Sequence, residues 1–98
     1  MTFRVVFRRA ASVEFEEAAV WYEGQRRGLG VEFSLEVEQA IEKLVERPTR
    51  YPIVFGDIRR TVTRRFPYAI YFRVRGNSVV VLAVFHGRRD PGTWQRRA

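Results

Sequence analysis

The chain has no cysteine, one histidine (His86), one lysine (Lys43) and two aspartates (Asp57 and Asp90). Without cysteine neither a disulfide framework nor a thiolate zinc site can form, and one imidazole cannot supply the usual ligand set, so no metal and no cofactor are expected. Long apolar runs are missing too. The longest candidate, Val79 to Phe85, is far shorter than the about 20 apolar residues needed to span a bilayer, and no charged-then-apolar leader opens the sequence. A soluble, cytoplasmic protein with no membrane partner is therefore expected. Glycine-rich phosphate loops, GxSxG elbows, zinc-protease helices, internal repeats and low-complexity segments are also absent, which removes the common enzyme signatures.

What the chain does have is arginine, unevenly placed. Residues 1–49 carry seven Lys/Arg against nine glutamates, a net −2, whereas residues 50–98 carry eleven arginines against Asp57 and Asp90, a net +9. Guanidinium forks bind phosphate or carboxylate in bidentate fashion, so a polyanion or an acidic protein is the expected partner, with a merely solvated basic surface as the bland alternative. At 98 residues one domain, 1–98, is expected, burying roughly 60–65% of its unfolded surface.

Periodicity then orders the elements. Phe3, Val5 and Phe7 alternate with Thr2, Arg4 and Val6, which predicts a strand over Met1 to Phe7. Ala11, Phe15, Ala18, Ala19 and Tyr22 line one face of a helix, with Glu14, Glu16 and Glu17 towards its positive end, Arg26 and Arg27 towards its negative end, and Gly28 as its C-terminal cap. Trp21 and Tyr22 are expected to pack in the core. A second helix runs from about Gly30 to Arg47 with Phe33, Val37, Ile41, Leu44 and Val45 buried and Pro48 beyond its end; the short connection makes the two helices an antiparallel hairpin.

After an extended piece at Ile53 to Phe55, IRRTVTRR reads as a strand carrying Arg59, Arg60, Arg64 and Arg65, and FPYAIYFRVR places Phe66, Tyr68, Ile70, Phe72 and Val74 on one face and Tyr71, Arg73 and Arg75 on the other. Gly76-Asn77 is a hairpin turn, and SVVVLAVFH is apolar on both faces as a central strand would be. Asp90-Pro91-Gly92 ends it and Trp94 packs back on the sheet. The order β-α-α-β-β-β is an α+β fold: an N-terminal strand, an antiparallel helical hairpin and a C-terminal antiparallel sheet.

The only histidine closes the last long strand within VFHGRRDPGTW. Histidine suits an acid or base role because its ordinary pKa lies near neutrality, so His86 is a candidate catalytic residue, with Arg65 and Arg88 as candidate catalytic cations beside it. Arg59, Arg60, Arg64, Arg73, Arg89 and Tyr71 are candidates for binding an anion or a target. The structural alternatives are a hydrogen-bonded strand-end histidine and a tryptophan that anchors the tail rather than stacking a base.

Together AxxEFxxAxxWYE at Ala11 to Glu23, Leu29-Gly30-x-x-Phe33, Pro48-x-x-Tyr51-Pro52, RRFPYAIYF at Arg64 to Phe72 and VFHGRRDPGTW resemble the RelE/ParE superfamily of toxins from bacterial type II toxin–antitoxin systems, along nearly the whole chain. The resemblance implies a cognate antitoxin whose acidic or amphipathic C-terminal segment wraps the toxin. It also implies one of two activities: ribosome-dependent mRNA cleavage on the RelE side, or poisoning of DNA gyrase on the ParE side. The RelE side has an arginine three positions before the strand tyrosine, where this chain has Tyr68 before Tyr71, and lysines in the preceding loop that have no counterpart here. FPYAIY is more similar to the ParE side. Three functions follow for test: a ParE-like toxin acting by binding, an mRNA endonuclease using His86 with nearby arginines, and a basic nucleic-acid-binding domain without catalysis.

Overall fold

In the computed structural model, which describes residues 3–87 and 89–98, the first strand is β1 (Arg4–Phe7) and the helical hairpin is α1 (Arg9–Gln25) with α2 (Leu29–Leu44). A 3₁₀ turn at Pro48–Arg50 leads to β2 (Ile53–Phe55), β3 (Ile58–Val62), β4 (Tyr68–Arg75), β5 (Ser78–His86) and a short α3 (Gly92–Gln95). One five-stranded sheet has the order β1-β5-β4-β3-β2. The four C-terminal strands are antiparallel, as their hairpin turns require, and β1 adds to β5 in parallel, from Arg4 opposite Ser78 to Phe7 opposite Val81. β5 is thus interior, which is why its side chains are apolar on both faces.

The helical hairpin covers one face of the sheet. Ala11 and Ala18 from α1 and Phe33, Val37, Ile41 and Leu44 from α2 pack on Phe66, Ile70, Phe72, Val79, Val81 and Val84, with Phe15, Ala19 and Tyr22 at the margin. This is the periodic stripe read from the sequence. A second cluster lies on the opposite face, where Ile58, Ala69, Tyr71, Leu82, Ala83 and Phe85 are covered by Trp94. Trp94 is 4% exposed and stacks on Tyr71 with ring centroids 4.0 Å apart, so it anchors the tail as expected.

Five local expectations are corrected. Gly28 does take the left-handed φ of 88° that favours glycine, but at the N-cap of α2; α1 ends earlier, where the Arg26 N–H reaches the Tyr22 carbonyl. No acid lies in the first turn of α1, because the helix begins at Arg9 and its glutamates fall further along. α2 stops at Leu44, with Val45 as its cap. Arg64 and Arg65 lie in the turn between β3 and β4, since β3 ends at Val62. Trp21 is 59% exposed while Tyr22 packs inward: adjacent helical positions are about 100° apart, and the Ala11–Ala18 stripe admits only one of the pair.

Side-chain carboxylates hold the connections. Glu23 on α1 accepts the N–H groups of Gly28 (2.9 Å) and Gly30 (3.0 Å), satisfying donors at the start of α2. Glu36 on α2 accepts the N–H groups of Arg65 and Phe66 and so ties down the β3–β4 turn. Between Val81 and Ala83 the β4–β5 register shifts, leaving Leu82 as the extra residue of a bulge. Beyond that point β1 has ended, and the edge of β5 is closed by side chains. Glu14 accepts the Val84 N–H (3.0 Å), and Arg97 donates to the Leu82 carbonyl (3.0 Å) while pairing with Glu14 at 2.7 Å.

Candidate functional site

The end of β5 places His86 opposite Tyr68 on β4, so both side chains lie on the helix-facing side of the sheet. Their rings meet edge to face at 5.5 Å. Beneath them is an aromatic cluster, with Tyr68 5.0 Å from Phe33, and Tyr22 5.0 Å from Phe33 and 4.8 Å from Phe66, ring centre to ring centre. Burial pushes the Tyr68 phenol above its ordinary range; the neighbouring Tyr22 adds to this and Arg89 opposes it. Burial raises the Tyr22 phenol as well. Both phenols are therefore neutral donors at neutral pH, suited to hydrogen bonding and unsuited to acting as bases.

The candidate cations divide by what already holds them. Arg59 donates to the Thr49 (3.0 Å) and Tyr51 (2.7 Å) carbonyls and so fixes the loop before β2. Arg65 pairs with Glu32, which Arg26 also binds, and its guanidinium lies over the Phe66 ring at 5.1 Å. Hydrogen bonds from Arg65 and then Arg26 hold the Glu32 carboxyl below the usual range. Arg73, with a side chain only 10% exposed, pairs with Asp57 at 3.3 Å, and Arg75 binds the other oxygen of that carboxylate at 2.7 Å. The Arg75 hydrogen bond is the main cause of the lowered Asp57 pKa, with the charge of Arg73 adding to it. Tyr71 lies buried under Trp94.

Arg60, Arg64 and Arg89 have exposed side chains. Arg60 stands opposite Tyr71, on the sheet face away from the helices. Arg89 follows His86, donates its N–H to the His86 carbonyl and stacks its guanidinium over Phe85 at 4.2 Å. Arg88 lies outside the described residues. The sequence candidates thus form no single cluster. His86 and Arg89 share the end of β5, Arg65 and Arg64 occupy the adjacent turn, and Arg59, Arg73 and Tyr71 serve packing and loop anchoring. The residue opposite His86 is a phenol.

Sequence reasoning missed Glu14, Glu23, Glu36 and Arg97. Glu14 could have been suspected, because it falls at helical spacing between Ala11 and Ala18 on the core-facing stripe, where an unpaired carboxylate would be costly. Nothing local marks Arg97. Among the described residues no three His, Asp or Glu side chains gather as a metal site would need, and no helix is long and apolar enough to cross a membrane.

Comparison with known proteins gives the architecture its kin. No curated protein sequence matches the chain. Among solved structures, a chain from the chromosomal ParDE TA system from P. aeruginosa superposes with a TM-score of 0.77 at 15% identity, covering 87% of this chain and 96% of that one; at such identity the likeness is one of fold. Residues 5–91 match the family described as ParE toxin of type II toxin-antitoxin system, parDE, a span running from β1 past the end of β5. The chain therefore belongs to the ParE toxin family and is the toxin component of a type II toxin–antitoxin system, partnered by an antitoxin.

Proposed function

We propose that this toxin inhibits growth by binding a macromolecular target, DNA gyrase, and not by cutting RNA. The observation that carries the reading is the Tyr68–His86 pair. The strand position opposite the only histidine holds a phenol whose ionisation burial suppresses, where a metal-free ribonuclease needs a cation to meet the phosphate. The ion pair of Arg65 with Glu32 supports the same reading, because that guanidinium already has a carboxylate partner. The whole chain, residues 1–98, acts as one cytoplasmic domain in this reading. Arg60, Arg64 and Arg89 are the cations through which it meets its target.

The test is a gyrase supercoiling assay with purified toxin, paired with a translation assay that follows mRNA integrity. Inhibited supercoiling with intact mRNA supports the reading. Unimpaired gyrase together with translation arrest and cut mRNA refutes it and restores His86 as the acid or base, to be checked with His86→Ala. Salt-sensitive nucleic-acid binding with no growth arrest would favour a basic binding domain without catalysis.

A further inference from the structure

Both helices of the hairpin carry apolar side chains on the side that turns away from the sheet. Val13 and Val20 follow the buried Ala11 and Ala18 by two positions, about 200° around the helix, and Val31 and Leu35 stand two positions to either side of the buried Phe33. Val20, Val31 and Leu35 are 73%, 62% and 51% exposed, and Val13 and Trp21 are exposed as well. Single exposed aliphatic residues are ordinary, but these meet. A groove of about 390 Å³ follows the seam of the hairpin, with the small residues Ala19, Gly30 and Ser34 at its floor and Val20, Val31 and Leu35 along its rims. A second groove continues it past Ser34 and Glu38 to Glu16 and Ser12. A surface helix ordinarily shows one apolar stripe, and a second, contiguous one marks a surface for a protein neighbour.

Charge is arranged unevenly around this patch. Towards the start of α1 and the end of α2 it is bounded by Glu16, Glu38 and Glu42, all exposed and none of them in an ion pair among the described residues. Lys43 and Arg9, near the same end, line other grooves, with Thr61 and with Arg89. At the opposite end, in the turn between the helices, Arg27 is exposed and likewise has no carboxylate among the described residues, whereas Arg26 is held by Glu32. Arg27 comes eight residues before Leu35 and Glu42 seven after it. At the rise of a helix both separations are about 10–12 Å, so the apolar centre lies midway between a cation and an acid.

We propose that the outer face of the helical hairpin is a homodimer interface, on which a second copy of this chain stacks its own hairpin in the opposite direction. A two-fold axis lying across the helices near Leu35 sets α1 antiparallel to α1 of the other copy, and α2 antiparallel to α2, so that one patch serves both chains. It lays apolar centre on apolar centre and brings Arg27 of each copy to Glu38 and Glu42 of the other. Stacking in the same direction sets Arg27 against Arg27 and the glutamates against one another, which disfavours it. The same glutamates repel a nucleic-acid backbone or an acidic peptide at this face. The sheet packs against the inner side of the hairpin, so the dimer leaves Arg60, on the far face of the sheet, uncovered. None of this rests on gyrase being the target.

The test is sedimentation velocity of the intact chain over a range of concentrations. Twice the mass of one chain is expected at high concentration, falling to the monomer on dilution. Leu35→Glu should weaken the dimer about tenfold or more while leaving the urea midpoint of the monomer in place, because Leu35 is exposed. Arg27→Glu alone, and Glu38→Arg with Glu42→Arg alone, should each weaken it as well, since like charges then face each other. An equimolar mixture of those two variants should recover the original affinity, because every contact between unlike chains is again one of opposite charges. The chain has no cysteine, so a short bismaleimide should join Leu35→Cys to its copy and should not join Val62→Cys, which is exposed on the sheet. A monomer at every concentration, a mixture that binds no tighter than its components, or equal cross-linking at the two positions overturns the proposal. A monomer that nevertheless binds an amphipathic peptide of leucine and lysine assigns the face to a different protein and overturns it too.

Discussion

Replacing Arg97 with alanine should be far more damaging than its place beside the last residue, Ala98, suggests. Arg97 makes two charge-assisted contacts to Glu14, at 3.0 and 2.7 Å, and a third to the Leu82 carbonyl at 3.0 Å. The Glu14 side chain is only 11% exposed and would retain a single donor, the Val84 N–H. Breaking a fully buried pair from one side costs about 3–5 kcal/mol. Arg97 is 24% exposed, so water screens part of that loss, and about 2–3 kcal/mol is expected. That is a large share of the about 5–15 kcal/mol by which a domain is stable, and it corresponds to a fall in Tm of about 10–20 °C at this size. Urea unfolding followed by tryptophan fluorescence measures it, since Trp94 leaves its stack on Tyr71 when the tail detaches. Glu14→Gln retains an acceptor for Val84 and should cost about 1 kcal/mol, and the double variant should reveal coupling between the two sites. A shift for Arg97→Ala below about 0.5 kcal/mol, the level of an exposed pair, would refute the claim that these side chains close the β5 edge.

Three further outcomes are expected. Gly30→Ala should destabilise by about 1–3 kcal/mol in the same urea assay, because a Cβ there would lie 2.5 Å from the Ala19 carbonyl oxygen on α1 and force the helices apart; a gain in stability would contradict this packing. Trp94→Ala should cost about 3–4 kcal/mol and Trp21→Ala less than about 0.5, so equal losses would show that the two burial assignments are wrong. The Tyr68 phenol has its folded pKa raised, so its contribution to stability is complete below about pH 10 and is lost as pH rises through the folded value; Tyr68→Phe should flatten that alkaline decline. Asp57 and Glu32 have lowered folded pKa values, so their contributions hold above about pH 4 and disappear as pH falls through the folded values, weakly and in a salt-sensitive way because both are exposed.

Much of the fold was legible because its signals are local. The helical stripe from Ala11 to Tyr22 and the alternation from Phe66 to Phe72 each require only neighbours a few residues apart, and both reappear as the core. Gly76 takes the positive φ of 57° that its turn needs, and the doubly apolar β5 lies inside the sheet. The illegible features depend on distant partners. Glu14 and Arg97 are 83 positions apart, and the parallel pairing of β1 with β5 follows from where the helical hairpin returns the chain. The candidate site was legible as a list of residue types and not as an arrangement. His86 was placed correctly at a strand end, but periodicity could not say that Arg59, Arg73 and Tyr71 would be spent on loop carbonyls, on Asp57 and on Trp94.

That redistribution changes what the basic half of the chain means. By formal count residues 50–98 carry a net +9, which suggests a broad surface for a polyanion. Yet Arg65, Arg73, Arg75 and Arg97 are each paired with a carboxylate, and Arg59 is held by two main-chain carbonyls. A duplex backbone needs a continuous track of available cations, since each neutralised phosphate contributes to affinity separately. Among the candidate cations that remain exposed, Arg60 and Arg64 stand near the two faces of β3 at its uncovered end, and Lys43 faces the same groove from α2. Their charge stands at a stretch of β3 that β2 leaves uncovered.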